Sequence, residues 1–234
     1  MIAGEIPHEA SRTTYVVVPA YNEATCLANV LRDLKAVYPQ VVVVNDGSTD
    51  DTGRVAQELA PHALHHLVNR GQGAALQTGI EYALGCGAEY IVTFDADDQH
   101  RVDDISALLA PLIRGECEVA LGSRFLGETV DIPKSRRLLL SSAVIFTRLV
   151  NGLPLTDVHN GLRAFTKEAA QQIKISMDGM AHASELLDLI ASSGLKFKEI
   201  PVQIRYTEYS LAKGQSARNA LRVLFHYIVG RVTR

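Results

Sequence analysis

The sequence is poor in several features that would each point to a function. It has only three cysteines, Cys26, Cys86 and Cys117, scattered and in no CxxC pair, so it offers neither a disulfide framework nor a structural zinc site. It has no long apolar run: the longest uncharged apolar-rich stretches, 138–147, 149–156 and 223–230, are bounded or interrupted by arginines and fall short of the ~18–20 residues of a membrane span. Glu5 and Glu9 occupy the region where a secretory signal needs an apolar segment. An excess of basic charge is missing as well. With 23 Lys and Arg against 26 Asp and Glu, the net charge of −3 argues against a nucleic-acid partner. The dipeptide Gly-Lys occurs nowhere, which excludes a P-loop. The one histidine cluster, His62, His65 and His66, has no cysteine or acid close in sequence and reads as strand or surface filler. What remains, 47% apolar and 21% charged over 234 residues, is the composition of a cytoplasmic globular chain with one sizeable core.

Short β-branched runs alternate with longer helical periods. Strands are expected at 15–18, 41–44, 64–68, 90–94 and 118–122, with helices at 25–38, 51–59, 73–84 and 103–114. The run Val41-Val42-Val43-Val44 shows no alternation, so it should be buried on both faces, under helices, in a parallel sheet. The pattern implies an α/β fold, a mostly parallel open sheet with flanking helices. Beyond residue 123 the regularity weakens. Helices are expected at 134–151, 166–173 and 181–193, a strand broken by Pro201 at 197–206, and a last amphipathic helix at 217–232. No linker separates the halves, so residues 1–234 read as one domain.

In open parallel sheets ligands bind beyond the carboxyl ends of the strands. Here the five expected strands are followed by Pro19-Ala20-Tyr21-Asn22-Glu23, Asn45-Asp46-Gly47-Ser48-Thr49-Asp50, Asn69-Arg70-Gly71-Gln72-Gly73, Asp95-Ala96-Asp97-Asp98-Gln99-His100 and Gly122-Ser123-Arg124. One such loop is an ordinary turn, and five in order point to a site. In the fourth, Asp95, Asp97 and Gln99 can converge oxygens on a hard cation, Mg²⁺ or Mn²⁺; the alternative is a solvated acidic turn before a helix. Asp46, at its strand end, is placed to hydrogen-bond a nucleotide base, while Ser48, Thr49 or Asp50 can cap the following helix. Gly71-x-Gly73 fails as a dinucleotide fingerprint because Leu76 stands at the third glycine position, but a glycine turn approached by a ligand remains.

VVVPAYNEA, VVVVNDGSTDDT, NRGQGAAL, FDADDQH and LGSRF, in this order and spacing over about residues 14–125, resemble the donor-binding half of family 2 glycosyltransferases of GT-A fold. The resemblance is closest to the dolichyl- or polyprenyl-phosphate sugar synthase branch, with Asp98 replacing that branch's usual Leu. It implies an inverting, metal-dependent transfer of a sugar from a nucleotide-diphospho-sugar. The donor residues would be Pro19, Ala20, Tyr21, Asn22, Glu23, Asp46, Gly71, Asp95 and Ala96, and the metal residues Asp95, Asp97 and Gln99. Arg124 would assist phosphate binding, and Arg137 and Ser141 would face an acceptor phosphate, with Arg136 and Ser142 as adjacent alternatives.

The acceptor half, about 126–234, matches more loosely. The segment Asp157-x-x-x-Gly161-x-Arg163-Ala164-Phe165 resembles one that follows the acceptor region; the alternative is a structural turn with Gly161 at positive φ. Glu185 lies where many relatives hold a general base, and it and Asp157 are open between catalysis and structure. Residues 206–216 depart from the synthases' loop and are either a lid, with Arg205 or Lys213 on phosphate, or a connector. Residues 209–234 carry five basic groups and no acid, so the last helix can lie on an anionic membrane at its inner face, pair with a second copy, or pack on the core. The expected acceptor is a polyprenyl phosphate; alternatives are a glycan or glycolipid hydroxyl, or a catalytically silent nucleotide-sugar-binding subunit.

Overall fold

The computed structural model describes residues 7–126, 153–158 and 160–205; the helices expected at 134–151 and 217–232, the segment 206–216, and Arg136, Arg137, Ser141, Ser142 and Lys213 lie outside them. Seven strands form one sheet: β1 (Thr14–Ala20), β2 (Gln40–Asn45), β3 (His62–His65), β4 (Tyr90–Thr93), β5 (Val119–Ser123), β6 (Arg163–Thr166) and β7 (Phe197–Pro201), in the order β3-β2-β1-β4-β6-β5-β7. All neighbours pair in parallel except β6, which runs antiparallel to both β4 and β5. The described helices are α1 (His8–Thr13), α2 (Ala24–Lys35), α3 (Thr52–Leu59), α4 (Gln72–Gly85), α5 (Asp103–Ile113), α6 (Lys167–Gln172) and α7 (His182–Ser193).

The valine run does what its lack of alternation predicts. Val42 and Val44 enter the core under α4, α6 and α7, Val41 and Val43 the core under α2 and α5, and none is exposed. Each core is closed by an apolar helix stripe. In α2, Leu27, Val30, Leu31 and Leu34 recur at helical spacing and are buried, each such burial stabilising by about 1.5–3 kcal/mol. On the other face α4 presents small residues. A Cβ at Gly79 would lie 2.3 Å from Val17 Cγ1, so the helix rides directly on β1 and carries its first residue, Gln72, to the carboxyl edge of the sheet.

Three local expectations are corrected. The third strand is His62–His65, not 64–68, because edge strand β3 leaves the sheet at the end of β2's register; Leu67 is fully exposed at 101%. Strand β6 was not anticipated: four residues beginning with arginine carry no usable period, and its pairing depends on strands far away in sequence. Gly161 is not at positive φ; a Cβ there would instead lie 2.1 Å from Asp95 Oδ2, so its role is close approach. Strand β7 ends at Pro201 and lies at the sheet edge, as its proline requires.

Gly79→Val should lower unfolding free energy by about 1–3 kcal/mol through overpacking against Val17. Gly85→Ala, whose Cβ meets nothing within 4 Å, should not lower it. Chemical denaturation of both variants checks the pair.

Candidate active site

The order β2-β1-β4 makes the space between β1 and β4 the switch point, where chains leave the sheet in opposite directions and open a crevice. Strands β1 to β5 all end at that edge. Because β6 is antiparallel, it starts there, so residues 157–162 arrive as a further loop.

The first two loops are laced together. Asn22, at φ 53°, receives Thr49 N–H on its Oδ1 at 2.9 Å and donates its own N–H to Ser48 Oγ at 3.0 Å. Asp50 accepts from Thr52 N at 2.9 Å and from Ala24 N at 3.3 Å, joining the starts of α3 and α2. Pro19 and Ala20 are buried in β1 beside Val44 and Asn45, while Tyr21 beyond them is 43% exposed. Glu23 donates its N–H to Thr52 Oγ1 at 2.8 Å.

Asp46 holds the third loop. It is buried, and its two oxygens accept from His66 Nδ1 (2.7 Å), Arg70 N (3.0 Å), Asn69 Nδ2 (2.9 Å) and Gly71 N (2.7 Å). His66 is fixed on its other side by Thr78 Oγ1 at 3.0 Å. That histidine is therefore a part of the site and not the filler its sequence context suggested. Gly71, at φ 112°, allows the chain to turn into α4 where a side chain would strike Asp178.

The fourth loop carries the paired carboxylates. Asp95 accepts from Gln72 Nε2 at 3.0 Å and from His100 Nε2 at 3.0 Å. Burial alone would raise its pKa, but the His100 hydrogen bond and the charges of His100, Arg163 and His182 hold it below the ordinary carboxylate value. Asp97 goes the other way. Burial and the neighbouring Asp95 charge push it up to about 6, against opposing contacts from His100 and Gln99. Gln99 donates to both Asp97 oxygens, through its backbone at 3.2 Å and through its side-chain amide. Ala96 is buried under the loop.

Arg124, just beyond β5, is buried and donates Nε–H to Asp157 Oδ2 at 2.6 Å. Asp157 is held in turn by Glu199 on β7, which accepts from Thr156 N at 2.8 Å and Asp157 N at 3.1 Å. Arg163 is buried within reach of the Asp95 and Asp157 charges, its pKa lowered to about 10 by burial and partly restored by those two charges. Glu185 has no exposed surface and accepts from Ser176 N, Ser176 Oγ and Met177 N at 2.8–2.9 Å, so its carboxylate shapes the loop before α7. Arg205 donates its N–H to Gln99 O at 2.9 Å and lines a cavity of about 260 Å³ with Asp33, Asp98 and Asp103, behind the fourth loop. Gln72, His66, His100, His182 and Arg163 had no separate role in the sequence reading. For Gln72, His100 and Arg163 a signal was present, since they lie within NRGQGAAL, FDADDQH and the Asp157–Phe165 segment.

The family model for glycosyl transferase family 2 matches residues 15–174. The chain belongs to glycosyltransferase family 2. This glycosyltransferase is 31% identical over 242 residues to UDP-N-acetylglucosamine–dolichyl-phosphate N-acetylglucosaminyltransferase of Methanococcus voltae, covering 94% of the chain and 96% of the relative. It is 33% identical over 250 residues to polyprenol monophosphomannose synthase of Mycolicibacterium smegmatis, covering 99% and 94%. Its fold matches glucosyl-3-phosphoglycerate synthase from Mycobacterium tuberculosis, solved with Mn²⁺ and UDP-glucose, at a TM-score of 0.73 and 19% identity over 96% of this chain and 80% of that one. The sheet is thus of GT-A type.

The donor set of the glycosyltransferase fits a hard divalent cation. Burial and, after it, the Asp95 charge drive Asp97 toward protonation, and a cation would relieve the repulsion between the two carboxylates. Among the described residues no three His, Cys, Asp or Glu side chains surround one point. A cation here would therefore keep part of its shell for water and phosphate oxygens, as Mg²⁺ does at phosphate sites.

The sign of one pH effect follows. A carboxyl raised from its ordinary 3.8 to about 6 destabilises the fold once ionised, by ~3 kcal/mol at most, and this penalty shrinks as pH falls through 6 and is gone only below 3.8. Without metal, Asp97→Asn should melt higher than the native chain at pH 8, with the stability gap falling to about a third at pH 4.5; calorimetric scans at both pH values check this.

Proposed function

We propose that this family 2 glycosyltransferase moves a sugar, with inversion, from a nucleotide-diphospho-sugar to the phosphate of a polyprenyl lipid. The observation that carries the reading is the Asp95/Asp97 pair at the switch point of the sheet, with the charge of buried Arg163 acting on Asp95 and buried Arg124 just beyond the end of β5. The loops of β1, β2 and β3 would hold the nucleotide, with Asp46 fixing the shape of the third loop. Asp95, Asp97 and Gln99 would hold Mg²⁺ or Mn²⁺, which when bound neutralises charge on the leaving diphosphate. Arg124 would add positive charge at the same place. The acceptor oxygen would attack the anomeric carbon from the face opposite the diphosphate.

A phosphate acceptor is favoured over a hydroxyl because it is already ionised near pH 7 and needs no base. The two candidate bases are engaged elsewhere: Glu185 by Ser176 and Met177, Asp157 by Arg124. The two relatives named above, matched over nearly their whole length, carry dolichyl phosphate and polyprenol in their names. Among the described residues no helix is long and apolar enough to cross a membrane. A lipid acceptor would then be met peripherally at the inner membrane face, through the basic segment 209–234.

The test is to offer UDP-, GDP- and dTDP-sugars with Mn²⁺ and polyprenyl phosphate, and to follow products by mass. One nucleotide-sugar should yield a polyprenyl-phosphate sugar, and Asp97→Asn should lower turnover on the order of 10²-fold or more. Transfer to a glycan hydroxyl alone would replace the acceptor reading, and full turnover by Asp97→Asn would end the metal reading.

A further inference from the structure

Among the described residues, buried Arg163 makes no side-chain hydrogen bond. It opens β6, is 4% exposed, and lies in register between Thr93 of β4 and Leu121 of β5. Two residues further on, Phe165 enters the core under α4 and α7, so strand alternation turns Arg163 to that same side of the sheet. The first residues of both helices, Gln72 and His182, reach Asp95 there, Gln72 by its hydrogen bond and His182 by its charge.

The guanidinium feels Asp95 and Asp157, but among the described residues it pairs with neither. Asp95 accepts from Gln72 and His100, and Asp157 accepts from Arg124. An arginine presents five N–H donors in a rigid fork suited to phosphate. Its nitrogens retain a little access to solvent but no protein acceptor among the described residues, and desolvating the fork is a cost that an apolar residue of similar volume would avoid. A second buried arginine nearby is satisfied, so the imbalance belongs to Arg163 and not to the whole corner.

We propose that Arg163 is a phosphate-contacting residue, its guanidinium donating to a phosphate oxygen of the substrate at the edge between Asp95 and Asp157. The oxygen belongs either to the leaving diphosphate of the donor or to the phosphate of the acceptor. This rests on the phosphate-to-phosphate reading above for the identity of the substrates, but not for the chemistry of the anion.

The experiment uses the full chain, Arg163→Met and Arg163→Lys, and four probes with Mn²⁺: inorganic pyrophosphate, UDP, GDP and citronellyl phosphate. Melting curves and titration calorimetry are read together. Arg163→Met should melt as high as the native chain without ligand, and should lose on the order of ten- to a hundredfold in affinity for a phosphate probe. Arg163→Lys should lose less, and it carries the test if the methionine variant does not fold. Loss with pyrophosphate and a nucleoside diphosphate assigns the leaving diphosphate; loss confined to citronellyl phosphate assigns the acceptor. Native affinity for every probe in a folded variant overturns the proposal, as does a lowered melting temperature with unchanged affinities, which is the mark of a purely structural counter-charge. If the native chain binds pyrophosphate through Arg163 but neither nucleotide nor citronellyl phosphate, the proposed function falls and the Arg163 assignment stands. If it binds no probe, both fall.

Discussion

The fixed position of the Asp95 carboxylate is the constraint on which the rest of the site depends. Gln72 reaches it from the start of α4 and His100 from the start of the following turn, each at 3.0 Å. From the other side Gly161 comes so near that a Cβ would stand 2.1 Å from Oδ2. Thr93, the last residue of β4, closes this approach by donating its hydroxyl to Gly161 O at 2.6 Å. One carboxylate thereby joins the start of α4 to the loop that introduces β6.

Around this point the fold keeps groups in states that stability alone would not select. Asp97 is pushed up to about 6 beside an ionised Asp95, and Arg163 is buried with no side-chain acceptor among the described residues. These sit next to well-satisfied pairs such as Arg124 with Asp157, itself braced by Glu199. The contrast has a physical sense. Satisfied pairs set the geometry, whereas the unsatisfied groups are those a cation and phosphates would complete, trading folding stability for preorganisation. The packing beneath is unstrained and supplies the rigidity, with α4 seated on β1 through Gly79 and the valines of β2 buried on both faces.

Local features were legible in the sequence where they depended on neighbours in the chain. The valine run announced a doubly covered strand, and the spacing in FDADDQH put Asp95, Asp97 and Gln99 at one strand end. What escaped were pairings across distance. Strand β6 is four residues long and owes its place to β4 and β5, and His66 meets Asp46 only because β3 lies beside β2. Leu67 and Val68 look like strand residues but fall past the end of β2's register, where nothing is left to pair with. A turn stayed open as the alternative for Gly161, since no local pattern can reveal that a carboxylate 66 residues away needs the space of its missing side chain.

That last contact admits the most direct measurement. Gly161→Ala adds one methyl group at a residue whose φ is not in the left-handed region, so the substitution acts through the Asp95 carboxylate and not through backbone strain. Titration of native and variant chains with UDP and GDP in the presence of Mn²⁺ should show affinity falling by about tenfold or more in the alanine variant, with cooperative unfolding retained. Equal affinity in the two chains would contradict the place given to Asp95 at the centre of the site.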